Sequence, residues 1–347
     1  MFILSKYVCN QIKLNSIIIP LRRRFSKGSK LLFLNDERPL TFQQHIHLED
    51  GPPDELVYGR PGVRTVCLYT PENKNALSID LMNRLIFSIK LDDDDPNLRC
   101  IVMWAKGNVF SAGHDLKELT KAAGPEKHKQ VFETAEKLMK AIVECPVPVI
   151  AKVDGHAAAA GCQLVAQCDL VIASTRSKFS TPGANCGIFC STPGIALARS
   201  ISRKHALHML FTGTPITAEE AYRIGLVNKV VPHTKLDDEL DKIVSTITSK
   251  SRDVITLGKK FFYEQIDKPL LEAYELGSRK MCENLAHPDA TEGVDSFIHK
   301  RKPKWQNELQ KTPPTDESDP KPSSSDGAGK TTSIIGNLGN SLKKLKK

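Results

Sequence analysis

No stretch of this 347-residue chain approaches the roughly 20 consecutive apolar residues that a membrane-spanning helix requires. Missing too is any Cys or His cluster at metal-site spacing. The nine cysteines are scattered, mostly inside apolar stretches such as Val66-Cys67-Leu68 and Cys100-Ile101-Val102, and no partner cluster accompanies Cys186 and Cys190. This pattern argues against a bound metal and implies buried free thiols in a reducing compartment. Surplus charge is absent from the body of the chain as well. Residues 1–35 hold seven basic residues and no acid, and residues 306–347 hold seven basic and five acidic ones, which together account for the whole net charge of +9. Residues 36–305 are therefore formally neutral, a poor partner for nucleic acid, whose sequence-independent affinity comes from counterion release by clustered Lys and Arg.

What is present divides the chain into segments. Residues 1–25 are basic, acid-free and mix hydroxyl with large apolar residues, the composition of a mitochondrial transit peptide. A secretory signal would need a longer apolar run than Ser16-Ile17-Ile18-Ile19, which ends at Pro20 and three arginines. Arg23-Arg24-Phe25-Ser26 resembles a matrix-protease site, so cleavage is expected near Phe25 and the destination is the matrix. Residues 26–54 read as a linker, 55–235 as the core, 236–305 as a helical region and 306–347 as a polar, Pro/Ser/Asp/Lys-rich tail that cannot offset its ordering entropy. Gly329-Lys330-Thr331 mimics the end of a phosphate loop, but Ser324 replaces the first glycine. The tail ends in Ile334, Leu338 and Leu342 with Lys343, Lys344, Lys346 and Lys347. Contact with a membrane surface is the alternative to a solvated tail, and Gly336 and Gly339 weaken it.

Within the core, short apolar runs alternate with helical periods. Val63–Tyr69, Cys100–Trp104, Pro148–Val153 and Leu170–Ala173 read as strands. Ile79–Leu91, Lys129–Glu144, Ala157–Ala166 and the region 194–211 read as helical, with a loop over Ala105–Gly113. The repeated order argues an α/β fold of stacked units, followed over 235–300 by helices.

Three segments carry a resemblance: Asn75-Ala76-Leu77-Ser78, then Phe110-Ser111-Ala112-Gly113-His114-Asp115-Leu116-Lys117-Glu118-Leu119, then Pro146–Ser174 running on through Phe179–Asn185. Together, over roughly residues 55–305, they resemble the crotonase (enoyl-CoA hydratase/isomerase) family. That resemblance implies a spiral of ββα turns with a C-terminal helical region supporting a homotrimer or hexamer, and acyl-CoA as ligand, with no cofactor beyond the coenzyme A thioester itself. It places the backbone amides of His114 and Ala160 at an oxyanion hole, an arrangement worth roughly 2.7–4 kcal/mol per donor in the transition state. Taken alone, the Ala-rich run at Ala157–Gly161 reads first as a tightly packed helix; beside the Phe110–Leu119 segment the oxyanion reading takes precedence. The His114 imidazole as general base is the competing use of that residue. Ala112, Asp115, Leu116 and Lys117 fall on a CoA-facing strip. Phe297 and Lys300 match a C-terminal Phe-x-x-Lys pattern near adenine and phosphate, against the plain alternative of a solvated lysine.

The departures decide the expected chemistry. Counting along the family pattern, the two hydratase glutamates fall on Gln163 and Gly183, and a third acidic position falls on Ser191; none is an acid. An amide cannot take a proton at neutral pH and glycine has no side chain, so general acid–base help of typically 10²–10⁴-fold per group is absent. Three functions remain open: an acyl-CoA binder with little turnover, an enzyme for a reaction needing no carboxylate such as decarboxylation, and a weak hydratase with a base recruited from elsewhere.

Overall fold

Unbroken apolar runs such as Cys100-Ile101-Val102-Met103 leave neither face of a strand suited to water, and such strands belong in a parallel sheet covered on both sides. The structure, a computed structural model, describes residues 62–306 and the backbone of residues 45–46. The expected transit peptide, most of the linker and the tail beyond residue 306 lie outside the described residues.

The chain runs β1 (His45–Ile46), β2 (Val63–Leu68), α1 (Ile79–Lys90), β3 (Cys100–Ala105), β4 (Val109–Ser111) and α2 (Gly124–Glu144). It continues through β5 (Val149–Val153), β6 (His156–Ala158), α3 (Ala160–Gln167), β7 (Leu170–Ser174), β8 (Lys178–Ser180), α4 (Ser191–Ser200) and α5 (Arg203–Thr212). Then come β9 (Ile216–Thr217), α6 (Ala218–Arg223), β10 (Lys229–Val231), α7 (Leu236–Thr248), α8 (Arg252–Gln265), α9 (Leu270–Leu285) and α10 (Pro288–Ile298). Strands β1-β2-β3-β5-β7-β10 form one parallel sheet, and β4-β6-β8-β9 form a second, smaller one. Successive β3-β4-α2, β5-β6-α3 and β7-β8-α4 segments are thus turns of a ββα spiral, as the resemblance implied.

Alternation sorts the large sheet's side chains. Val66, Leu68, Ile101, Met103, Val149 and Ala151 face the main core, while Val63, Cys100, Val102, Ile150 and Ile172 pack under Leu236 and Val244 of α7. Helix α1 starts where Ser78 Oγ accepts the Leu81 N–H at 3.2 Å and a Glu118 carboxylate oxygen accepts the Ile79 N–H at 3.0 Å, two of the donors a helix N-terminus leaves orphaned.

Three expectations from the sequence change. Ala105–Gly113 is not all loop, because β4 lies within it. The helix expected from Ala157 begins at Ala160, behind β6, and α2 starts at Gly124 rather than Lys129. Periodicity cannot register a three-residue strand, and Pro125 at the first turn opens α2 at Gly124, seven residues before the apolar stripe begins at Val131. The pairing of His45 and Ile46 with Thr65 and Val66 adds an edge strand inside the expected linker.

One partly buried ionic group ties the helical region to the sheet. Lys259 Nζ donates to the carbonyls of Ile142 (2.9 Å) and Val147 (3.0 Å) and to Asp169 (2.6 Å), and Asp169 also accepts from the Val149 N–H and the Tyr263 hydroxyl. Burial and that carboxylate push the Tyr263 phenol well above its ordinary range. Lys259→Met would leave the partly buried Asp169 carboxylate with only the Val149 N–H and the Tyr263 hydroxyl, so a loss of about 1.5–3 kcal/mol in urea-unfolding stability is expected; a loss near zero would show that the pair is not structural.

Candidate active site

The smaller sheet brings the two sequence-marked amides together. Ser111 of β4 sits opposite Ala157 of β6, so the residues that follow each strand, Ala112-Gly113-His114 and Ala159-Ala160, leave the sheet side by side. A Cβ on Gly113 would lie 2.9 Å from Ala159 Cβ and 3.1 Å from the Ala160 nitrogen, and Gly113 has φ +94°, so only glycine fits. Gly161 meets the same constraint from the other side, since a Cβ there would lie 2.5 Å from the Ser111 carbonyl oxygen.

Each amide is aimed by the carbonyl of its own peptide plane. The Leu77 N–H donates to the Gly113 carbonyl at 2.8 Å, and the Gln163 N–H donates to the Ala159 carbonyl at 3.0 Å. In a planar trans peptide the N–H points opposite the C=O, so the N–H groups of His114 and Ala160 face away from those bonds. No hydrogen bond among the described residues takes either one. Ala160 is the first residue of α3, whose dipole adds positive potential there. The preceding Ala159 is held at φ +49°, ψ −120°, a backbone region that L residues rarely occupy.

Asn75 braces this arrangement. It is fully buried with φ +52°, its Oδ1 accepts from the Thr70 N–H at 2.8 Å, and its Nδ2 donates to the carbonyls of Lys106 and Val109 at 3.0 and 2.7 Å. Ser111 Oγ donates to the Asn75 carbonyl and accepts from the Gly113 N–H. Asn75 and Ser111 lie in the sequence motifs, but their type and spacing do not assign this role; an Asn set directly before apolar Ala76-Leu77 is the signal the sequence carries. Nothing marked Ala159, because alanine does not advertise a positive φ.

The remaining marked residues divide. Ala112 donates its N–H to Lys74, Asp115 caps the short helix Leu116–Leu119 through the Lys117 N–H at 2.9 Å, and Leu116 and Lys117 are exposed beside His114. Phe297 and Lys300 stand exposed at the end of α10, which packs on α8 and α9; no hydrogen bond or ion pair among the described residues links them to the 112–117 strip. Gln163 is buried on α3, and its Oε1 has no hydrogen-bond partner among the described residues. Gly183 lies in a short 3₁₀ turn where a Cβ would come within 2.2 Å of the Ile188 carbonyl oxygen and 2.7 Å of Cys190 Sγ, so the loop itself fills any side-chain space at this position. Ser191 begins α4, exposed. Glu118, the acid whose charge acts on His114, is already engaged with the Ile79 N–H.

The His114 ring sits edge-on to Phe132 at 5.5 Å between centroids, and its nitrogens are buried without a well-formed hydrogen bond among the described residues. Burial lowers its pKa below the ordinary 6.5, with the Leu77 backbone and Glu118 opposing. The neutral ring is therefore favoured in the fold, and stability falls as pH drops below about 6.5, because the unfolded chain takes up a proton that the folded one refuses. An NMR titration should place the His114 midpoint below 6.5, and His114→Gln should flatten that acid-side slope; a midpoint at or above 6.5 would contradict the burial.

Comparison with known proteins matches this architecture. The family described as enoyl-CoA hydratase/isomerase matches residues 59–308. The mitochondrial enoyl-CoA hydratase domain-containing protein 3 of Xenopus laevis is 53% identical over 80% of this chain and 94% of its own length. The human protein of the same name is 51% identical over 71% of this chain and 82% of its own length. The crystal structure of human enoyl coenzyme A hydratase domain-containing protein 3 aligns with TM-score 0.69 over 70% of this chain and 96% of that one. An enoyl-CoA hydratase structure from Mycobacterium smegmatis, 40% identical, aligns with TM-score 0.69 over 77% and 99%. The chain belongs to the enoyl-CoA hydratase/isomerase family.

Proposed function

We propose that this protein binds acyl-CoA thioesters in the mitochondrion and serves fatty-acid metabolism chiefly by holding them, with little or no hydration. On this reading the N–H groups of His114 and Ala160 meet at the thioester carbonyl oxygen, Ala112, Asp115, Leu116 and Lys117 line the pantetheine side, and Phe297 and Lys300 meet adenine and phosphate. The observation that carries it is the pair of amides pinned from their carbonyl sides and left without acceptors. No cofactor is required beyond the coenzyme A thioester.

Two facts weigh against hydratase chemistry. Gln163 and Gly183 stand where the family's glutamates fall, and the close Ile188 and Cys190 contacts at Gly183 leave a carboxylate no room there. The loss of two proton-transfer groups is worth roughly 10²–10⁴-fold each. A second reading, decarboxylation of a malonyl-type ester, draws on the same two amides, because loss of CO₂ generates the enolate without a base. The acid-free N-terminus and the mitochondrial names of the relatives support the compartment, with the matrix as the proposed site. A homotrimer or hexamer is the proposed assembly. Helix α9 buries none of its residues within the single chain and exposes Leu270, Leu271, Tyr274 and Met281.

Purified mature protein given a panel of enoyl-, β-keto- and malonyl-type CoA esters is expected to bind at micromolar concentrations without hydrating the enoyl esters. Sustained hydration would sink the binder reading, and turnover of the malonyl type alone would select the second. The double variant Gln163→Glu/Gly183→Glu is expected to gain no more than about tenfold in hydration, far below the gain two working carboxylates would give, and to unfold at lower urea.

A further inference from the structure

Helix α2 carries Phe132, Ala135, Met139 and Val143 along one side, and this stripe faces Ile195 and Ala196 of α4 across a groove of about 550 Å³ whose floor includes Gln163. At 1.5 Å per residue the stripe runs for about 16 Å, the reach of roughly a dozen methylenes in an extended chain. Its inner end is fixed, because the Phe132 ring packs on the His114 ring. The outer end passes Lys140 and Glu144. The groove reaches the amide pair through Phe132, packed on His114, and through Gln163, one turn along α3 from Ala160. Its charged residues Lys129, Glu133, Glu136, Lys140 and Glu144 are all exposed, so a linear hydrocarbon whose polar end is held by the amides would run along the apolar stripe between them.

We infer that this groove seats the acyl tail and makes the protein a selective binder of long-chain acyl thioesters, with roughly a dozen carbons or more preferred over short chains. The inference rests on the thioester-binding reading above. A four-carbon tail would end beside Phe132 and Ala135 and leave Met139, Val143 and Ile195 in water, whereas a longer tail covers them. Ile195 is 54% and Phe132 40% exposed, so the chain gains contact on several sides but not all. Full burial of a methylene is worth about fourfold in affinity, and a groove open on one side should return about half of that free energy, roughly twofold per methylene.

Calorimetric titration of the mature protein with butyryl-, octanoyl-, dodecanoyl- and hexadecanoyl-CoA, each below its micelle concentration, tests this. Affinity should rise about a hundredfold or more from four to twelve carbons and then level off where the groove ends. Met139→Trp, placed midway along the half-buried wall, should bring the levelling point down to about eight carbons, and Ile195→Asp on the exposed wall should weaken dodecanoyl-CoA by tenfold or more while butyryl-CoA loses far less; thermal unfolding confirms that both variants are folded. Equal affinity for butyryl- and dodecanoyl-CoA would overturn the inference while leaving the thioester site intact. Absence of binding by every ester and by free CoA would instead sink the underlying reading. Should Met139→Trp change the oligomeric mass and leave chain-length preference untouched, the groove is an interface between copies of this chain and the inference fails.

Discussion

The chemistry proposed for this protein depends on the orientation of two peptide planes. A peptide group is rigid and trans, so anchoring its carbonyl on one side aims its N–H to the other. Here the anchors belong to different layers. The Leu77 N–H, from the segment that leads into α1, holds the Gly113 carbonyl, while the Gln163 N–H, inside α3, holds that of Ala159. Neither anchor is a side chain. Substitution at the surface of the site leaves the donors aimed, and the geometry fails only when the backbones of β4, β6 or α3 move apart.

That closeness carries a free-energy cost which the surrounding fold offsets. Gly113 and Gly161 surrender backbone freedom, Ala159 sits in a strained conformation, and the two amides and the Gln163 side-chain Oε1 have no acceptors or donors among the described residues. Strain of this kind persists only where neighbours over-determine it. Asn75 supplies part of that restraint with three side-chain hydrogen bonds, and the large sheet, apolar on both faces, supplies the rest.

How much of this was legible in the sequence follows from element length. The six- and five-residue apolar strands and the amphipathic α1 stand within a residue or two of where their periodicity places them. The strands of the smaller sheet contain at most three residues each, such as His156-Ala157-Ala158, too few for alternation to register, and only family resemblance anticipated them. The same division holds at the site. The resemblance singled out the segments around His114 and Ala160, which the smaller sheet brings side by side, while the assignment of Gln163, Gly183 and Ser191 to acidic positions rests on the resemblance alone. The packing of the Ile188 carbonyl and Cys190 sulfur against Gly183 was not legible, because a glycine in sequence does not say whether its empty side is open or filled.

A filled position 183 changes what the two amides can accomplish. Catalysis requires interactions that strengthen between ground state and transition state. An oxyanion hole does this only when some other group generates the negative charge, and in hydration that group is the base activating water. With a buried carboxamide at 163 and backbone and sulfur against 183, nothing at those positions drives charge onto the carbonyl oxygen. On the proposed reading the donors then bond an ordinary thioester carbonyl, which is ground-state binding. The same geometry that accelerates a reaction in the presence of carboxylates would, without them, lengthen the residence of the ester. On that reading, amides that act without acids make a protein whose output is occupancy rather than product.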